Sequence, residues 1–213
     1  MYEFEAIVIL AATFIIVYII GAFRNRKLLV KYSRLIKSQV QSMSEYTGFR
    51  PLGSNGFRAL INMNKEQPLS KIEIAVSLVD RENVMHYPLS LLTKEHDKVT
   101  MWVFPKVRPK FSLEITPNTG NPPQKRPAGL NLTDMPIDRQ DLKEAFLVAS
   151  SNKRKAEETI NDGEITSKLL RTRDFLSFFL IDEGSSRIFL TGKLTEESLG
   201  PLIDLAVTYS GKI

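Results

Sequence analysis

AIVILAATFIIVYIIGAF, residues 6–23, is a run of eighteen residues without a charge, and a basic segment opening with Arg24, Arg26 and Lys27 follows it directly. As a helix this run covers roughly 27 Å, close to the ~30 Å hydrocarbon core of a bilayer. Its many Ile and Val residues weaken a helix slightly in water. In lipid an unpaired backbone group costs far more, so helix wins there. The junction predicts a single N-terminal transmembrane anchor over 1–23, with everything after it on one side of the membrane.

Charge sets the expected direction. Glu3 and Glu5 precede the run with no Lys or Arg, whereas Arg24, Arg26, Lys27, Lys31, Arg34 and Lys37 follow it with no acid before Glu45. Positive residues stay inside, which puts the N-terminus outside (or luminal) and residues 24–213 in the cytoplasm. A cleaved signal peptide would need basic residues before the apolar run and small residues at its end. Gly21-Ala22-Phe23 instead leads straight into the basic segment, so the anchor is expected to be retained. The small residues Ala11, Ala12, Gly21 and Ala22 would permit close packing against other membrane helices.

Composition points the same way. The chain has no cysteine, which fits a reducing compartment and excludes disulfides, thiolate metal sites and Cys nucleophiles. Beyond residue 23 lie all 29 Lys and Arg and 22 of the 24 acids, a net +7, and six of those seven charges fall within 24–44. The basic excess therefore belongs to a stalk, and the remainder is a near-neutral domain large enough for one core.

Residues 24–46 read as a basic amphipathic helix, a unit over 24–47. Leu28, Leu29, Tyr32, Leu35, Ile36, Val40 and Met43 recur at spacings of three and four. The apolar stripe would pack on the domain, and the basic face would be solvated or would meet anionic lipid or ribosomal RNA. Residues 48–213 read as an α+β domain. Gly48, Pro51, Gly53 and Gly56 mark a linker; 57–63 and 71–79 are strands, the second with clean alternation. A helix is expected over 80–92 with Asp80 at its cap, then a strand pair over 99–104 and 111–115. Residues 116–137 form a Pro-rich loop. A strand over 145–149, helices over 152–160 and 165–181 (Asp162 ahead of the latter), a strand over 186–193 and a helix over 195–209 complete the order. Trp102 is expected in the core.

Chemistry is sparse. His86 and His96 are too few for a zinc site without cysteines, so no metal is expected. GSSRIFLTGK, residues 184–193, has the wrong glycine spacing for a phosphate loop, and Leu194 stands where Ser or Thr should follow. Acid pairs such as Asp138/Asp141 and Asp182/Glu183 fit solvated turns, and no GxSxG elbow occurs. Basic clusters at Lys106/Arg108/Lys110, Lys125/Arg126, Lys153/Arg154/Lys155 and Lys168/Arg171/Arg173 suit solvated surface or phosphate-backbone contacts. Neither a catalytic residue nor a cofactor is expected.

One run, IEIAVSLVDRENVMHYPLSLLTKEHDKVTMWV, together with the span beginning FEAIVIL, the basic helix, AFLVASSNKRKAEETINDGE and FLSFFLIDEGSSRIFLTGKL, resembles the calumin family in element order. Calumin is the single-span, coiled-coil-containing subunit of the PAT complex, an intramembrane chaperone that works with the Sec translocon and ribosome in multipass membrane protein insertion. The resemblance implies a non-enzymatic adaptor or chaperone subunit of compact, archaeal type. Its partners would be Sec translocon subunits, the ribosome through its rRNA, a small membrane protein and the lipid bilayer. An acidic luminal region and a long Lys/Glu-rich C-terminal coiled coil are absent from this sequence, so ribosome contact would fall to Arg24, Arg26, Lys27, Lys31, Arg34, Lys37 and the domain. A membrane-tethered enzyme of unfamiliar chemistry and a lipid-binding scaffold are the alternatives.

Overall fold

A computed structural model describes residues 2–119 and 131–213. It opens with α1 (Tyr2–Val40), a single helix of 39 residues that runs from the apolar stretch into the basic one without a break. The expected stalk helix is thus the second half of α1, and it stops at Val40 rather than 46. β1 (Ser44–Pro51), β2 (Gly56–Met63) and β3 (Leu69–Ser77) follow, then α2 (His86–Leu92), β4 (Lys98–Pro105), β5 (Leu113–Pro117) and β6 (Thr133–Met135). The remainder comprises α3 (Gln140–Ala145), β7 (Phe146–Ser150), α4 (Lys153–Ile160), α5 (Gly163–Thr172), β8 (Leu176–Asp182), β9 (Arg187–Lys193) and α6 (Glu196–Lys212). The chain is α+β: a long apolar N-terminal helix and a sheet domain.

Among the described residues the strands form one antiparallel sheet in the order β1-β2-β3-β4-β9-β8-β5-β7-β6. The first four strands form a meander, and the chain then builds the far half before β9 returns to pair with β4, Thr100 opposite Thr191. Period-two alternation decides which face is covered. Phe57, Ala59, Ile61 and Met63 on β2, Ile72, Ile74 and Val76 on β3, and Val99, Met101 and Val103 on β4 are all buried. Against them lie Ile36 and Val40 of α1, Ile165 and Leu169 of α5, and Leu199, Leu202, Ile203, Ala206 and Tyr209 of α6, in one continuous core. The Phe179 and Tyr209 rings meet with centroids 4.6 Å apart.

Several local expectations fail for identifiable reasons. Residues 165–181 are not one helix: α5 ends at Thr172, and LSFFLID becomes β8. An apolar run of that length satisfies both periods, and pairing with β9 and β5 decides it. The supposed linker contains β1, an exposed edge strand where Gly48 and Pro51 are tolerated. Asp80 caps nothing; α2 starts only at His86, and Asn83 Oδ1 accepts from the Met85 and His86 amides instead. β4 and β5 are not partners. Gln140–Ala145 is an additional short helix, and Thr133–Met135 a strand at the end of the proline-rich stretch. Residues 120–130 of that stretch, with Lys125 and Arg126, lie outside the described residues.

Trp102 is not in the core. It lies half-buried on the sheet face opposite the helices, edge-on to Phe189 at 5.8 Å with the Arg58 guanidinium 5.2 Å over its ring. The caps fall as the sequence predicts at two helices. Asp162 accepts from the Glu164 and Ile165 amides, and Thr195 forms a reciprocal box with Ser198 that opens α6. Pro201 then sits inside α6, where it forgoes one bond to the carbonyl of exposed Glu197.

Met101 is fully buried at the centre of the sheet. Met101→Ala is expected to lower unfolding free energy by about 2–5 kcal/mol in denaturant titration. Thr195→Ala, which removes half of the capping box, is expected to cost about 1 kcal/mol.

Candidate functional site

The second half of α1 lies on the domain through one stripe. Gly21, Asn25, Tyr32, Ile36 and Val40 are buried, and Leu28 and Leu29 pack between them. At the upper end the fit leaves room for no side chain. A Cβ at position 21 would overlap the Arg81 carbonyl and come within 2.9 Å of the Glu82 nitrogen.

One turn below Gly21, Asn25 is fully buried and uses both ends of its amide. Its Nδ2 donates to the Val79 carbonyl at 3.2 Å, and its Oδ1 accepts from Arg81 Nη1 at 3.0 Å. Arg81 makes a two-pronged pair with Asp97, Nη1 to Oδ1 at 2.9 Å and Nη2 to Oδ2 at 3.0 Å. Asp97 Oδ1 also accepts from the Val79 amide at 2.8 Å, and the Asp97 carbonyl accepts from the Leu194 amide at 2.7 Å. The network thus joins α1, both ends of the β3–β4 connection and the β9–α6 turn. Charge-assisted, bidentate bonds between largely buried groups are the strong kind.

Tyr32, on the same stripe, is buried as well. Burial foremost, and then the nearby Asp97 and Glu196 carboxylates, raise its phenol above the ordinary value of 10.0 against the opposing pull of Arg81. The ring therefore stays neutral well into alkaline solution.

The six basic residues singled out in the sequence are all exposed. Arg26, Lys27, Lys31 and Arg34 line an open trough of about 830 Å³ together with Phe23, Val30 and Glu196, the last of which pairs with Lys31. Arg24 and Lys37 lie outside it. Of the small residues, Ala11 and Ala12 are exposed and Ala22 is half-covered, while Gly21 is occupied by its own chain's Arg81 backbone. Nothing local in the sequence marks Asn25, Arg81 and Asp97 as a unit. A lone uncharged polar residue four positions after Gly21, inside a basic run, was the one available clue.

Elsewhere the chemistry stays thin. Among the described residues no group of three or more His, Asp or Glu is arranged to hold a metal. His86 Nε2 lies 3.6 Å from Glu95. The Gly184-Ser185 stretch is a turn held by Asp182, which accepts from the Gly184 amide and the Ser185 hydroxyl, so its donors are already in use. A second opening, about 350 Å³, lies beside β5, β6 and β7 with Thr116, Met135, Ile137, Phe146 and Val148 in its wall.

No protein-family model matches the chain, and no curated protein matches it in sequence. Among solved structures it is similar to the mycobacterial trehalose monomycolate transport factor A, TtfA, at a TM-score of 0.41 and 12% identity over 84% of this chain and 90% of that one. A likeness of that size carries no inference about activity.

Two measurements check the junction. Arg81→Ala leaves Asp97 buried without its partner and is expected to cost about 3–5 kcal/mol in denaturant unfolding, with Arg81→Lys restoring only part because an ammonium cannot bridge both oxygens. The raised Tyr32 value means that its contribution to stability is complete below pH 10 and is lost as pH climbs through the folded-state value. Tyr32→Phe is therefore expected to lose less stability than the native chain between neutral and strongly alkaline pH.

Proposed function

We propose that this chain is a non-enzymatic, single-span membrane adaptor that holds its α+β domain rigidly at the cytoplasmic membrane face for an integral-membrane partner. Residues 6–23 would cross the bilayer with the N-terminus outside. The observation that carries this reading is the Asn25–Arg81–Asp97 network beneath Gly21, which locks the domain onto α1 where the apolar stretch meets the basic one. An enzyme acting on a soluble substrate would be served by a loose tether. A buried polar lock makes sense where the domain must keep a fixed height and azimuth relative to something else in the membrane.

The outward basic face of α1 offers Arg24, Arg26, Lys27, Arg34 and Lys37 to a polyanion, either lipid headgroups or ribosomal RNA. Calumin-like order points to the Sec translocon and ribosome as partners, with a role in inserting multipass membrane proteins. A lipid-binding scaffold without translocon contact is the second reading, favoured by the trough's mixture of exposed apolar side chains, Phe23 and Val30, with four basic ones.

Affinity capture of the full-length protein in mild detergent, followed by proteomics, tests the choice. The translocon reading expects Sec subunits and ribosomal proteins at low salt, with the ribosomal proteins lost from an Arg26→Glu/Lys27→Glu/Arg34→Glu variant. Recovery of neither class overturns it in favour of the lipid scaffold, for which the same variant is expected to lose binding to phosphatidylglycerol vesicles.

A further inference from the structure

The β3–β4 connection, residues 78–97, leaves an apolar cluster in the open. Met85, Leu89, Leu91 and Leu92 are 79%, 55%, 64% and 81% exposed, all within eight residues. Met85, Leu89 and Leu92 follow the i, i+4, i+7 spacing of one helical stripe, while Ser90 is the buried residue of α2, its hydroxyl turned back to the Tyr87 carbonyl. Clustered exposed apolar side chains mark a contact surface, whereas single ones mean nothing.

The position of this cluster identifies what covers it. Val79 meets α1 at Asn25 and Arg81 meets it at Gly21, so the chain climbs α1 by about one turn, roughly 6 Å, toward its apolar end as it leaves β3. The next residue of that stripe, Val17, is half-covered, whereas its neighbours from Phe4 to Ile20 are exposed. The Arg81–Asp97 pair closes the neck of the loop that leaves β3 at Ser77, carries α2 and enters β4 at Lys98. From Val17 to Phe23 is roughly 9 Å along the helix, and amphipathic helices lying in a bilayer interface bury their apolar face about 5–10 Å deep. Exposed Arg24, Arg26 and Lys27 come next along α1, at the height where headgroup phosphates would lie.

We propose that α2 is a second membrane contact: Met85, Leu89, Leu91 and Leu92 insert into the interfacial layer of the leaflet that α1 leaves. The inference rests on the reading that residues 6–23 span the bilayer. It adds to that reading a two-point attachment, one point a span and the other a wedge, which fixes rotation of the domain about the α1 axis.

The chain has no cysteine, so single-cysteine variants can be labelled cleanly. Full-length protein carrying an NBD dye at Phe14→Cys, Leu89→Cys, Leu92→Cys or Glu66→Cys would be reconstituted in phosphatidylcholine–phosphatidylglycerol vesicles containing lipids with a doxyl quencher near the headgroup or at mid-chain. These four side chains are exposed, so the label displaces no core residue. The expected result is stronger quenching of Leu89 and Leu92 by the shallow quencher than by the deep one, stronger quenching of Phe14 by the deep one, and none at Glu66 in the β2–β3 connection on the opposite rim. Leu89 and Leu92 as unquenched as Glu66, with Phe14 quenched, would overturn the wedge and leave the span intact. A blue shift at Leu89 and Leu92 without quenching would also overturn it, by showing protein rather than lipid over the cluster. Phe14 unquenched by either lipid would remove the span itself and the wedge with it.

Discussion

Everything distinctive about this molecule depends on a guanidinium held between an amide and a carboxylate. Arg81 bridges Asn25 on the helix and Asp97 at the start of β4, and the Val79 backbone is tied in from both sides. Remove the arginine and the Asp97 carboxylate loses its counter-charge while the Asn25 side-chain carbonyl loses its donor, leaving only the bonds to the Val79 backbone. The cost of that loss, rather than the area of contact, holds the domain to one place on α1. Apolar packing along Tyr32, Ile36 and Val40 would tolerate small slides and rotations; the Asn25 amide, donating to the Val79 carbonyl and accepting from an arginine that Asp97 holds in place, does not.

The sheet supports the lock from behind. Asp97 is placed by the entry to β4, and β4 is central, paired with β3 on one side and β9 on the other. The turn after β9 presents the Leu194 amide to the Asp97 carbonyl and then opens α6 through the Thr195 box. The same turn leaves Glu196 beside Lys31, so the basic face of α1 is fastened to the domain at that point. A local rearrangement at the neck of the β3–β4 loop would therefore be felt in the helix that covers the core.

How much of this could be read beforehand divides along physical lines. Strands with strict alternation, such as residues 71–77, and helices with polar caps, such as those after Asn152, Asp162 and Thr195, are local matters and were legible. LSFFLID was not, because a solid apolar run suits both periods and the β9 ladder had to choose. β1 was hidden by its glycine and proline, which an edge position forgives. Trp102 was misplaced because β4 buries its odd-numbered neighbours and not the tryptophan. The candidate site was the least visible part. Asn25, Arg81 and Asp97 are ordinary residues for their local contexts and acquire meaning only through pairing over 56 and 16 positions of chain. The basic residues of α1 were evident, whereas the network that orients them was not.

α1 continues without interruption from its bare apolar end through the stretch clamped against the sheet. The clamped part, residues 21–40, is roughly 30 Å long, and the bare part, residues 4–20, roughly 25 Å. No hinge lies between them: the one glycine at the boundary is buttressed by the Arg81 backbone rather than left free to bend. The molecule is mechanically a stiff shaft with a plate bolted to it. A tilt imposed on the bare end therefore carries the sheet with it and swings its far rim sideways, and a sideways pull on the plate returns as a torque on the shaft.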